Sequence, residues 1–249
     1  MTATLSIAQV TVRNVLGLKR MLGFGLLAAF PAFIFFLTSR QSSDVGRLEN
    51  FTGSSLFIFL AVVVPIITVV VSGSVLGSER RGDTLSFLML RPMSRYTIAG
   101  AKLVSAIAAS FAISAVGAVL LGLLASLALD DFGYLIGLLV GTLLANAGYS
   151  AIFMPIGYLT ERATLTGFIY IFGWESAIAA IITGLSGTSL WRIAATGFAA
   201  LAPDLDFEIL DAALGSLTPG AGGAALKIAV LCAISLVITG YLLQSRDLT

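Results

Sequence analysis

The sequence predicts an all-α polytopic membrane protein with six transmembrane helices. Three observations carry that reading. The chain is 58% hydrophobic and only 11% charged, whereas soluble domains are roughly 45–50% apolar and about 25% charged. Six stretches are long and apolar enough to cross a hydrocarbon core about 30 Å thick, which takes roughly 20 residues rising about 1.5 Å each. Most of the basic residues also fall on one side of those stretches.

The elements follow in order. Between residues 1 and 20, Leu5, Ala8, Val12 and Val15 recur at helical spacing, with Gln9, Arg13 and Asn14 on other faces; this is an interfacial helix on the membrane surface. The spans are expected at 22–38, 56–76, 103–129, 133–159, 165–185 and 224–243. No small-residue cleavage site follows the first, so it reads as a retained anchor. The fourth carries Gly133, Gly137, Gly141 and Ala145 at four-residue intervals, a bare face that admits close approach by another helix. Residues 186–223 form the one long external loop. Its acidic run from Pro203 to Glu208 lacks the glycine and later glutamate of a calcium loop and reads as a solvated or half-embedded helix. Cys232, the one cysteine, has no intrachain partner and fills space in a helix.

Orientation comes from lysine and arginine. Arg13, Lys19, Arg20, Arg80, Arg81, Arg91, Arg95, Lys102, Arg162 and Arg246 lie on one side, ten of the 14 basic residues; Arg40, Arg47, Arg192 and Lys227 lie on the other. The first side is the cytoplasm, and both termini face it. A net charge of +1 with no basic cluster gives no sign of a nucleic-acid partner.

The catalytic inventory is short. The chain has no histidine, which excludes a HExxH zinc site, a serine–histidine dyad and a histidine proton relay. No aspartate lies within a span, and no Gly-x-x-x-x-Gly-Lys-Ser/Thr phosphate loop occurs, so the chain alone should not hydrolyse ATP. No catalytic, cofactor-binding or metal-binding residue is expected. The exception to this bland interior is Glu175, at mid-span depth in the run Tyr170-Ile171-Phe172-Gly173-Trp174-Glu175. An ionised side chain there costs on the order of 2.5–3.5 kcal/mol on insertion scales, so it must face protein or water, or be protonated. Tyr170, Trp174 and Glu175 then belong either to a transport path or to an interhelical hydrogen bond, for which Asn146 lies at a similar depth in the fourth span.

The segment joining the second and third spans is the richest in signals. Asp83 or Thr84 caps a short helix, Leu85, Leu88 and Met89 form one apolar stripe, and Pro92 makes Arg91 a terminus. Ser94 then caps the next helix. A basic amphipathic element held between two membrane helices suits docking on a cytosolic partner; lying on anionic lipid is the other use its arginines favour.

With Glu79, Thr84, Leu85, Leu88, Arg91, Pro92, Ser94, Arg95 and Lys102 in this order, and the aromatic-Trp-Glu run in the fifth span, the sequence resembles the type-2 family of ABC transporter permeases. Asp83 departs from the pattern, since many members place glycine directly before the threonine. The resemblance implies a membrane-spanning permease of a bacterial exporter in the cytoplasmic membrane. Residues 79–95 would be its coupling helix, with Glu79, Arg80, Arg81, Asp83, Thr84, Leu85, Leu88, Met89, Arg91, Pro92 and Arg95 meeting a separate ATP-binding subunit. Two such subunits, holding ATP and Mg, would work with this chain and a second permease, identical or a sibling. The alternatives are a secondary transporter with Glu175 as its proton or cation site, and a membrane scaffold that transports nothing. A path lined by Phe, Leu, Ile and small residues would suit an apolar or amphipathic cargo.

Overall fold

The computed structural model describes residues 18–40, 42–81, 94–160, 162–178, 187–203, 205 and 220–245. Among them every regular element is helical. α1 spans Leu18–Ser39, α2 Asp44–Gly53, α3 Val64–Arg81, α4 Arg95–Leu129, α5 Gly133–Leu159, α6 Ala163–Phe168, α7 Leu190–Ala199 and α8 Ala221–Ser245. Two π-helical segments, Ser54–Val63 and Ile169–Ile178, continue α2 into α3 and extend α6. Five helices of the described residues are long and apolar enough to cross a membrane: Met21–Ser39, Asp44–Gly77, Arg95–Leu129, Gly133–Leu159 and Ala221–Ser245. The chain is therefore a multi-pass membrane protein. The fifth expected span, 165–185, is described as far as Ile178. The expected interfacial helix falls on 1–17, outside the described residues, except for its last three, which belong to α1.

Local chemistry explains the breaks. Pro65 has no amide for the Ala61 carbonyl, and the chain just before it adopts the π register instead of a plain α-helix. Ser94 caps α4 by accepting from the Thr97 amide at 3.1 Å. α4 and α5 are joined by three residues, with Asp130 in the left-handed region at φ 58° and the Asp131 carboxylate accepting from the Gly133 amide at 2.6 Å.

α5 is the central helix, packed on α3, α4, α7 and α8. Glycines set the closest crossings. A Cβ on Gly117 of α4 would lie 2.7 Å from the Ala28 carbonyl carbon of α1, and one on Gly122 would lie 2.8 Å from the Leu135 Cα. The outer faces of α1, α4 and α8 expose Leu26, Phe33, Val104, Leu127, Leu226 and Val237, as helices solvated by lipid do.

Residues 186–223, expected as an external loop, contain more than loop. α7 lies within them, and its residues from Leu190 to Phe198 are all buried. The bare face of α5 is what receives it: Cβ atoms on Gly137 and Gly141 would meet the Phe198 carbonyl oxygen at 2.7 Å and the Phe198 Cβ at 2.9 Å, and one on Gly133 the Leu201 carbonyl oxygen at 2.8 Å. Gly148 faces Leu190. α7 thus runs antiparallel to α5, starting about 22 Å along it from the Gly133 end and finishing beside that end. At ten residues α7 is too short to cross a bilayer by itself, and it is buried because α5 covers it.

Candidate functional site

Glu175 sits where three elements meet. It belongs to the second π segment and is 2% exposed. Its carboxylate accepts from the Tyr149 hydroxyl of α5 and, at 2.8 Å, from the Leu190 amide at the start of α7. Ser189, the N-cap of α7, makes no side-chain capping bond, so a glutamate from another helix satisfies one of the four amides that a helix start leaves open. A carboxylate also suits the positive end of the helix dipole. Sequence separation makes this a tertiary link, since Glu175 and Leu190 are 15 residues apart.

The ring system around it is packed edge to face. Tyr149 meets Tyr170 at 6.4 Å between centroids and 83°, and Tyr170 meets Phe153 at 5.5 Å and 70°. On the α7 side, the Arg192 guanidinium lies 5.4 Å from the Trp191 ring centroid, and Trp191 tilts against Phe57 of the first π segment. Trp174 is half-buried beside Glu175 in the chain.

Asn146 does not pair with Glu175. Its Oδ1 accepts from the Thr68 hydroxyl at 2.8 Å, and its Nδ2 donates to the Ser114 hydroxyl at 2.8 Å and to the Thr142 carbonyl at 2.7 Å. These bonds tie α3, α4 and α5 together in a second, separate polar site. The amide is fully engaged there, and Tyr149, three residues further along α5, reaches the carboxylate in its place.

Of the residues expected at the cytoplasmic loop, Glu79, Arg80 and Arg81 form the last turn of α3 and Arg95 opens α4. Asp83, Thr84, Leu85, Leu88, Met89, Arg91 and Pro92 lie outside the described residues. Lys102, two turns into α4, is 1% exposed. Among the described residues no cluster of three or more His, Cys, Asp or Glu could hold a metal ion.

Sequence reasoning missed Tyr149 and the Leu190 amide. Tyr149 had a usable signal, since a tyrosine at mid-span needs a partner for its hydroxyl. The Leu190 amide had none, because nothing local says that residue 190 returns to the depth of residue 175.

A family model described as ABC-2 family transporter protein matches residues 17–188. No curated protein matches the chain significantly.

Proposed function

This chain belongs to the ABC-2 family of transporter proteins, and we propose that it is the membrane-spanning permease of an ATP-driven exporter, energised by separate ATP-binding subunits. In this reading, two of those subunits hold ATP and Mg at the cytoplasmic face of the bacterial inner membrane. A second permease, identical or a sibling, completes the path. Residues 79–95 dock on the ATP-binding subunit and carry force, while the chemistry of ATP stays in the partner.

The observation that supports this mechanism is the Glu175 link. In this reading the helix that starts at Ala163 rises from the cytoplasmic side to Glu175, whose carboxylate meets the start of α7, and α7 runs on toward the Gly133 end of α5. Interrupted helices meeting near the midplane are a recurrent transporter device, and irregular backbone at that depth persists only where protein or a water-filled cavity surrounds it. One carboxylate joins the two halves, so a shift of the first carries the second with it and opens the outer end of the path.

The same geometry disfavours Glu175 as the cation site of a secondary transporter. A cation site needs oxygen acceptors turned toward a shared point, whereas the groups aimed at Glu175 are a hydroxyl and an amide that donate. The reading is tested by purifying the tagged chain from its native membranes. An ATP-binding subunit should co-purify and confer ATP-dependent transport on liposomes. Transport by the chain alone, with no such subunit required, would overturn it.

A further inference from the structure

Two of the four basic residues on the far side converge on one pocket. It has a volume of about 360 Å³ and lies between the end of α1, the start of α2 and the end of α4, lined by Phe35, Phe36, Ser39, Arg40, Arg47, Leu124, Leu127 and Ala128. Pockets of this size accept small-molecule head groups. The two arginines differ in how they are held. Arg47 is fixed, its Nε donating to the Ser39 carbonyl at 3.3 Å and its Nη1 to Asp44 at 3.0 Å. Arg40 lies with its guanidinium 4.2 Å from the Phe36 ring centroid, and among the described residues no carboxylate lies within ion-pair distance of it. Arg40 is exposed and lines the pocket.

The floor of the pocket is apolar and opens onto lipid. Leu127 is 75% exposed, and Leu120 and Leu123 continue the exposed face of α4 below it. An anion with an apolar tail therefore has both its needs met: guanidinium donors at the rim, which match phosphate geometry, and a leucine stripe running down the helix.

We infer that the α1–α2–α4 pocket binds the phosphate head of a glycerophospholipid from the adjacent leaflet, Arg40 holding the phosphate and Leu127 the first part of an acyl chain. The asymmetry of charge selects this occupant: Asp44 neutralises Arg47, leaving Arg40 as the open positive group. A lipid without a phosphate would leave that group unanswered, and a free phosphate would leave the leucine stripe unused.

The test is native mass spectrometry of the full-length chain titrated with phosphatidylglycerol, with diacylglycerol and inorganic phosphate as separate probes. The wild type should retain one phosphatidylglycerol that Arg40→Gln loses, with an apparent affinity about tenfold weaker, the scale of one charge-assisted hydrogen bond. Leu127→Trp, which fills the pocket without changing charge, should displace the same lipid. Lys227→Gln, a basic residue outside the pocket, should retain it, and diacylglycerol binding should not respond to Arg40→Gln. Because Arg40 is an exposed residue stacked on a ring, the Gln variant keeps the fold, which an unchanged melting temperature would verify. Equal phosphatidylglycerol retention in both pocket variants, an equal loss with Lys227→Gln, or full competition by inorganic phosphate would each overturn the assignment.

Discussion

Gly73 and Gly157 meet backbone to backbone where α3 crosses α5, a Cβ on Gly157 lying only 2.8 Å from the Gly73 Cα. Neither helix has a flexible side chain at these two positions to give way. Gly157→Leu should therefore force the two helices apart, at a cost of at least the ~1–3 kcal/mol typical of overpacking. The expected result is a clear drop in melting temperature in detergent. Gly25→Ala is the control, since nothing lies within 4 Å of a Cβ there, and it should leave stability unchanged.

Glu175→Gln keeps the shape of the side chain but turns one acceptor into a donor, which would then face either the Tyr149 hydroxyl or the Leu190 amide. Expression and binding of the ATP-binding subunit should be normal, and transport in liposomes should be strongly impaired. Tyr149→Phe leaves the Leu190 bond in place and should impair transport less. Normal transport by Glu175→Gln would reduce the contact to helix packing.

The Asn146 cluster should behave differently. Removing a partner from a buried group costs about 1–3 kcal/mol when that group is stranded. Here neither donor is stranded: Thr68 has a fallback acceptor in the Val64 carbonyl at 2.7 Å, and Ser114, which accepts from Asn146, keeps its own donation to the Ser110 carbonyl at 2.9 Å. Asn146→Leu should then cost about 1 kcal/mol or less, near the ~0.6 kcal/mol average for interhelical hydrogen bonds in membranes. Reversible unfolding in mixed micelles measures this, and a loss near 3 kcal/mol would show that the fallback bonds do not form.

For residues 79–95 the expectation rests on the sequence. Leu88→Asp should release the ATP-binding subunit, because a carboxylate would enter an apolar groove without a partner, where a buried leucine contributes roughly 1.5–3 kcal/mol. Arg80→Ala should weaken recovery only slightly, as rim charge pairs contribute about 0.2–1 kcal/mol. Co-purification of a tagged ATP-binding subunit with each variant distinguishes them; undiminished recovery with Leu88→Asp would mean that the loop lies on lipid.

Five of the six expected spans were legible because their signal is one-dimensional: α5 occupies Gly133–Leu159, a mostly apolar stretch between polar ends. The close-packed face of α5 was legible too, as glycine spacing. Its occupant was not. Leu190–Ala199 is ten residues long, below any length criterion for crossing a bilayer, and its burial follows from contacts with α5 residues more than about 40 positions away. Glu175 stood out by its cost in an apolar span. Its partners depended on which helix turns back to meet it, and no local pattern encodes that.

The three-residue turn at Asp130–Phe132 also bears on how the chain enters the membrane. With Gly122 against Leu135 just below it, α4 and α5 form a helical pair in direct backbone contact at this end. Such a pair should leave the translocation machinery together and close before α8 has been made. It would then offer the glycine face of α5 as a ready template, so that α7, too short to insert by itself, would be drawn into the bilayer by a surface already waiting for it.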